Sequence, residues 1–342
     1  MVDAPALHFD AFLLLSFGGP EQPADVLPFL RRVTGGRGIP DERLAEVATH
    51  YDHFGGRSPV NDENRALLAA LRTEFAVRGI DLPLYWGNRN WDPLLADELA
   101  RIAADGHRRV AVFVTSAYSS YSGCRQYRED LAAAAADAGV GDALEFARLP
   151  HYGSHPGFVA PFADGLRDAL ATLPPGSATV FVTHSIPTAM DASSGPAGHA
   201  YTTQHAQTAR LVRAGAGLAD DEPDVVFCSR SGPPTVPWLE PDVNAHLSDL
   251  AATGAAGVAV VPIGFVSDHM EVRFDLDTEA AETAATLDLP FVRVPTPGTD
   301  RRFVRAIVDL LEQVATAPTS TRCAPGCCAN PRGHRPALCG SD

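Results

Sequence analysis

The chain has 342 residues, 45% hydrophobic and 20% charged, which excludes a disordered or fibrous molecule and allows two domains or one large double-lobed unit. Its 27 basic residues, every one an arginine, face 42 acidic ones, for a net charge of −15. That field argues against nucleic acid or an anionic membrane as the main partner and suits cations.

Short apolar strands alternate with helical patterns from end to end. Strands are expected at 11–17, 82–86, 110–115, 144–148, 179–183, 225–228, 257–262 and 291–294. Helices are expected at 61–78, 93–105, 126–138, 156–172, 241–253, 270–287 and 299–314. Continuous apolar strands in βαβα order imply an α/β chain of two parallel four-stranded sheets covered on both faces. The break falls near Pro150 to Pro156, giving lobes at 1–150 and 151–317 and an irregular Pro-, Ser- and Cys-rich tail at 318–342. The uncharged stretch from Leu250 to Ser267 is interrupted by Gly254, Gly257, Pro262 and Gly264, so no transmembrane helix is expected. No basic segment precedes the first apolar run, so a cytoplasmic location is expected.

In such sheets ligands sit beyond the carboxyl ends of the strands. After the first strand, Ser16-Phe17-Gly18-Gly19-Pro20 permits a tight turn or close ligand approach, and is equally consistent with a plain turn. It lacks the glycine spacing of a dinucleotide site. His184 follows the fifth strand, where it is either a cleft-facing base or a structural histidine. The strongest signal follows the seventh strand. Glu271, Asp275 and Glu279 are spaced by four and share a helical face, with Asp268 and Glu282 extending the stripe. A solvated face is the bland explanation. Its start at the cleft end of the sheet favours a row that attracts a divalent cation or relays protons. No nucleophile elbow is present, and Ser185 beside His184 is not a triad. Four of the six cysteines, Cys323, Cys327, Cys328 and Cys339, crowd the last twenty residues and suggest a metal or cluster site. Zinc is the simpler alternative.

At these residues the sequence resembles the ferrochelatases. The Thr183-His184-Ser185-Ile186-Pro187 loop, the Pro237-Trp238-Leu239-Glu240-Pro241 segment and the run from Gly264 to Glu279 carry the likeness. It implies two Rossmann-like lobes of the class II chelatase fold and insertion of Fe²⁺ into a porphyrin. It also implies catalytic and metal-binding roles for His184 and Glu271, with Asp275 and Glu279 leading from the site. The segment from Tyr118 to Tyr127 and the cysteine tail resemble the actinobacterial, coproporphyrin-dependent branch, whose substrate is coproporphyrin III. That resemblance implies a [2Fe-2S] cluster on Cys124, Cys323, Cys328 and Cys339, with Cys327 as the alternate to Cys328. Such a cluster takes four thiolates. Cys228 reads as a buried strand residue. Phe17 stands where the branch usually carries a tyrosine, so it offers a ring but no oxygen ligand. Phe17, Arg57, Ser58 and Tyr127, and more weakly Arg31, fall in substrate-binding segments. The expected partners are the porphyrin, Fe²⁺ and neighbouring haem-pathway enzymes, without nucleic acid or stable membrane insertion. Action on protoporphyrin IX or sirohydrochlorin, or non-catalytic haem or metal carriage, stay as alternatives.

Overall fold

The computed structural model describes residues 8–35, 38–219, 221–316, 323–324 and 326–338. Eight strands form two parallel sheets. The first is β1 (Ala11–Ser16), β2 (Leu84–Asn88), β3 (Arg109–Val114) and β4 (Glu145–Arg148), in the order β2-β1-β3-β4. The second is β5 (Ala178–His184), β6 (Asp224–Cys228), β7 (Val258–Val261) and β8 (Phe291–Arg293), in the order β6-β5-β7-β8. The two orders are the same, so the halves are duplicated in topology without sequence repetition. Central strands are mostly apolar because helices cover both faces: every residue of β1 and β7 is buried.

The covering helices are α1 (Val26–Val33), α2 (Asp41–Asp52), α3 (Val60–Arg78), α4 (Leu95–Ala104), α5 (Gln126–Asp137), α6 (Pro156–Thr172), α7 (Thr188–Ala192), α8 (Ala200–Ala216), α9 (Val243–Ala252), α10 (Ala281–Thr286) and α11 (Arg301–Thr316). All eight expected strands are present, and every expected helix has a counterpart. The helices α1, α2, α7 and α8 were not anticipated. Helix α11 belongs in sequence to the second half but packs on both α3 and α6. Its Asp309 and Glu312 pair with Arg78 of α3 at 2.7 and 3.0 Å. Phe113, Tyr152, Phe158 and Phe303 form a continuous aromatic contact between the halves. One core therefore spans both sheets, and the cleft at their carboxyl ends has firmly held walls.

Before α10 the chain runs as a π-helix over Val272–Ala280. This wider turn, with i to i+5 bonding, recurs at functional sites. Among the described residues, no helix is long and apolar enough to cross a membrane.

Candidate metal and porphyrin site

His184 ends β5, in register with Cys228 of β6. A polar bracket lies behind it. The Tyr201 hydroxyl donates to the His184 carbonyl at 2.7 Å and sits 2.9 Å from Thr183 Oγ1. The Thr183 hydroxyl also meets Nε2 of His205 at 2.9 Å. His205 Nδ1–H donates to the Tyr201 carbonyl at 2.7 Å, which leaves Nε2 as the acceptor. Gly264 packs on Thr183 so closely that any Cβ there would displace it. Beyond His184, Ser185 donates from its backbone to Cys228 at 2.8 Å and from its hydroxyl to Leu239 at 2.9 Å. Leu239 in turn donates to Ile186 at 3.0 Å, tying the Pro237-to-Pro241 segment to the histidine loop.

The His184 ring donates through Nδ1 to the Ser185 carbonyl. Nε2 is thereby turned into the cleft, 3.4 Å from Oε1 of Glu271. Two residues that the linear sequence separates by 87 positions meet here because β5 and β7 are adjacent in the second sheet. His269, which sequence reasoning did not single out, accepts the Glu271 N–H on Nδ1 at 3.2 Å.

Desolvation within the site opposes the charge of both groups, but each rescues the other. Desolvation pulls His184 down, yet the Glu271 charge and hydrogen bond raise it to about 9. Desolvation pushes Glu271 up, yet His184 holds it at about 2. The resting pair at neutral pH is an imidazolium and a carboxylate. Asp275 comes next along the helix. Burial, and then the Glu271 and Glu279 charges, raise it to about 7 against a hydrogen bond from Ser229. Glu279 lies further out and exposed, raised by partial burial and by Asp242 and Glu282. The expected row thus exists for Glu271, Asp275 and Glu279. Asp268 does not extend it. It turns away to Arg293 at 2.9 Å, which also grips Asp277. Asp268 lies in the loop before the helix, so the helical offset of three residues that placed it in the stripe does not hold there.

The facing wall is aromatic. Phe17 is 40% exposed and meets Phe29 edge-on at 6.2 Å, and Phe29 contacts Tyr51 and Trp91. Met270 packs into this cluster, while Phe274 stacks on His50 at 4.0 Å. The Tyr51 hydroxyl is driven far up by burial and then by the Glu271 charge, so it stays protonated. An apolar wall opposite a charged pair can grip a flat aromatic ligand and present its centre to His184 and Glu271.

The remaining substrate candidates are less uniform. Ser58 and Tyr127 are buried, and the Arg89 guanidinium lies over the Tyr127 ring at 4.4 Å. Arg57 pairs with Asp62, and Arg31 pairs with Asp41 at 2.8 Å.

Residues 9–315 match the family model described as Ferrochelatase. The chain belongs to the ferrochelatase family. These enzymes insert iron into a porphyrin. The coproporphyrin III ferrochelatase of Streptomyces griseus is 52% identical, with 98% of this chain and 96% of that protein covered. The corresponding proteins of Leifsonia xyli and Streptomyces coelicolor are 48% and 51% identical, covering 97% and 98% of this chain and 94% and 97% of theirs. Among solved structures, Bacillus subtilis SirB with Fe³⁺ has a TM-score of 0.56 at 12% identity, covering 90% of this chain and 95% of that one. The sirohydrochlorin chelatase SirB of Bacillus subtilis subspecies spizizenii in complex with cobalt scores 0.55 at 12%, covering 92% and 98%. Both share the chelatase fold of this ferrochelatase.

The cysteines gather at the first lobe. Ser120 accepts the Gly123 N–H at 2.8 Å and opens a π-type turn over Tyr121–Arg125 that buries Cys124. The Cys328 thiol is near enough to Cys124 to perturb its charge, and Cys327 Sγ lies 3.9 Å from Cys328 Sγ. Arg148 donates to Cys124 at 3.2 Å, and the Gly195 N–H donates to Cys328 at 3.2 Å. The Cys328 hydrogen bond, then Arg148 and His151, hold the Cys124 thiol well below its usual range despite burial. Cys328, the donor of the pair, is pushed up. Cys323 is partly buried, and Cys339 lies outside the described residues. Cys228 is buried in the core of the second sheet, apart from this group. Among the described residues, no three His, Cys, Asp or Glu side chains surround a common metal position.

Proposed function

We propose that this ferrochelatase inserts Fe²⁺ into coproporphyrin III, with His184 and Glu271 as its catalytic and metal-binding pair. The observation that carries the reading is His184 Nε2 facing Glu271 at 3.4 Å, beside the aromatic cluster of Phe29, Tyr51 and Trp91 into which Met270 packs. The coproporphyrin III ferrochelatases that match over nearly the whole chain support that substrate.

The porphyrin lies against Phe17, with Arg57, Ser58 and Tyr127 serving its carboxylates through charge-assisted and hydroxyl hydrogen bonds. Insertion requires two pyrrole protons to leave and Fe²⁺ to shed water. A cation arriving at Glu271 replaces the imidazolium as counter-charge, and so lowers the proton affinity of His184. Neutral His184 then offers the Nε2 lone pair to a pyrrole N–H. Asp275, balanced near neutrality, accepts or returns a proton at little cost, and Glu279 continues the line outward. These carboxylates together act as the metal and proton route.

The tail is read as the site of a [2Fe-2S] cluster on Cys124, Cys323, Cys328 and Cys339. The thiols of Cys124, Cys327 and Cys328 come together, and Arg148 offers a positive charge to thiolates. Arg148 Nε and His151 Nδ1 are buried beside them without a hydrogen-bond partner among the described residues. These features fit a bound anionic cluster. Cys328 is favoured over Cys327 as ligand because it is the more buried and its thiol is the one that acts most strongly on Cys124. A cluster supplies a four-thiolate staple between the tail and the first lobe. The same reading divides the chain into lobes 1–150 and 151–317 and a tail 318–342, places the enzyme in the cytoplasm and makes neighbouring haem-pathway enzymes its partners.

The test is anaerobic incubation with Fe²⁺ and either coproporphyrin III or protoporphyrin IX, followed by absorption spectra. Coproporphyrin III is expected to give the higher kcat/KM. Equal or reversed values return the assignment to protoporphyrin, and no insertion into either leaves a carrier.

A further inference from the structure

A cavity of about 320 Å³ opens between the last turn of α1, the loop after β2, α5 and the cysteine tail. Four arginines line it: Arg32, Arg89, Arg332 and Arg335. Two acidic groups, Asp130 and Asp137, also reach it, and Asp130 is engaged by Arg89 Nε at 2.5 Å. Arg89 forms a rigid base. Its side chain is 7% exposed and is held over the rings of Phe17 and Tyr127. Arg32, Arg332 and Arg335 are exposed, and among the described residues their guanidinium groups have no carboxylate partner. In a chain of net charge −15, three exposed arginines converging on one cavity make a local positive patch that suits an anionic ligand.

We propose that this cavity binds a small polycarboxylate anion, and that the cysteine tail forms its removable wall. Guanidinium groups present planar paired donors that match carboxylates, and several aimed at one space favour a ligand with more than one such group. Arg332 and Arg335 lie just beyond Cys327 and Cys328. Their segment is fastened by Asn330 to Glu129 at 3.0 Å, by Arg125 to the Arg335 carbonyl at 3.1 Å, and by Arg128 to the Leu338 carbonyl at 2.9 Å. The wall is in place when the tail is docked, so anion binding and tail docking strengthen each other reciprocally. The carboxylates have two sources: a free polycarboxylic acid or, on the reading that the cleft takes coproporphyrin, the edge of the macrocycle. Phe17 connects the two spaces, because Arg89 lies over its ring and Asn90 bonds its carbonyl at 3.1 Å.

Citrate titrated calorimetrically into the full-length protein at low salt tests this. Saturable binding is expected, weaker by about 10- to 100-fold in R332A/R335A, as for loss of charge-assisted hydrogen bonds. Circular dichroism and the melting temperature check that the variant is folded. Cys124→Ser, which on the cluster reading loosens the tail, is expected to weaken citrate similarly. Repeating the titration with saturating coproporphyrin III separates the sources: competition assigns the site to the macrocycle, and unchanged affinity assigns it to a free acid. Orthophosphate binding as tightly as citrate overturns the polycarboxylate assignment. Absence of citrate binding to wild type, or equal affinity in a folded R332A/R335A, overturns the site. Equal affinity in Cys124→Ser overturns the coupling to the tail. Iron insertion measured on the same samples reports separately on the ferrochelatase reading.

Discussion

Replacing Glu271 by glutamine separates the charge of that side chain from its size. In the wild type, burial opposes protonation of His184, and the Glu271 charge and hydrogen bond overcome it, giving a value of about 9. With an amide at 271 the desolvation remains and its main opponent is gone. The Ser185 carbonyl and Asp275 still favour the proton, but each less than Glu271 did. The His184 ring is therefore expected to titrate at or below 6.5, a fall of at least about 300-fold in proton affinity. Nitrogen-detected NMR titration of the ring reads this directly. The activity follows the same sign. His184 must be neutral to accept a pyrrole proton, so kcat/KM of the wild type should rise toward pH 9. In the variant that limb moves down toward 6.5. Its plateau is expected to be about 100- to 10,000-fold lower, because a neutral amide neither attracts Fe²⁺ nor balances the imidazolium. A wild-type ring that titrates at or below 6.5, or one that Glu271→Gln leaves unmoved, refutes this account of the pair.

Three further outcomes are expected. Cys124→Ser should bleach the visible bands of the anaerobically purified protein and lower its melting temperature, whereas Cys228→Ser, buried apart in the second sheet, should keep the colour; a colourless wild type with stoichiometric zinc would refute the cluster. Tyr201→Phe leaves the His184 carbonyl without its donor and should cost about 1–3 kcal/mol in chemical denaturation, together with a loss of kcat. Unaltered kcat would show that the bracket does not position His184. Burial, against the Tyr201 carbonyl, lowers His205 to about 4, so between pH 6.5 and 4 the unfolded chain takes a proton that the native one refuses. Stability should fall by up to about 3 kcal/mol as pH drops through that window, and His205→Gln should remove this component of the slope.

The strands were legible because parallel sheets covered on both faces demand unbroken apolar runs, as in Ala11 to Leu15 and Val258 to Val261. Helix α8 was not legible, for a physical reason. Its buried face is Tyr201, His205, Thr208, Ala209 and Val212, so more than half of its inward positions carry polar atoms. Tyr201 and His205 serve the bracket behind His184 and Thr208 donates to the Gly153 carbonyl at 3.0 Å, and a helix that spends its inner face on hydrogen bonds shows little apolar periodicity. Helix α1 is short and Pro28 interrupts its pattern, while α2 buries only Leu44 and Tyr51, too few to mark an apolar face. His184 and Glu271 could be named from strand ends and spacing. The direction of Asp268 could not, because it depends on Arg293 arriving from β8.

The same helix explains how a tail remote in sequence bears on the cleft. Cys328 donates its N–H to the Ser193 carbonyl at 2.9 Å and receives the Gly195 N–H on its sulfur. Ser194, between those two, accepts the Tyr201 N–H on its hydroxyl at 2.8 Å at the start of α8. Asp191 fixes the same turn by accepting from His199 at 2.9 Å and Thr202 at 3.1 Å. Tyr201 then reaches the His184 carbonyl. Each bond contributes on the order of 1 kcal/mol, so no single one makes the tail indispensable. Their arrangement matters more than their sum. The segment from Asp191 to Tyr201 is gripped by the tail at one end and grips the catalytic strand at the other. Such a hold needs no second conformation of the loop. It stabilises one placement of the His184 backbone, and with it the direction in which Nε2 points, so docking the tail and orienting the base become parts of one packed unit.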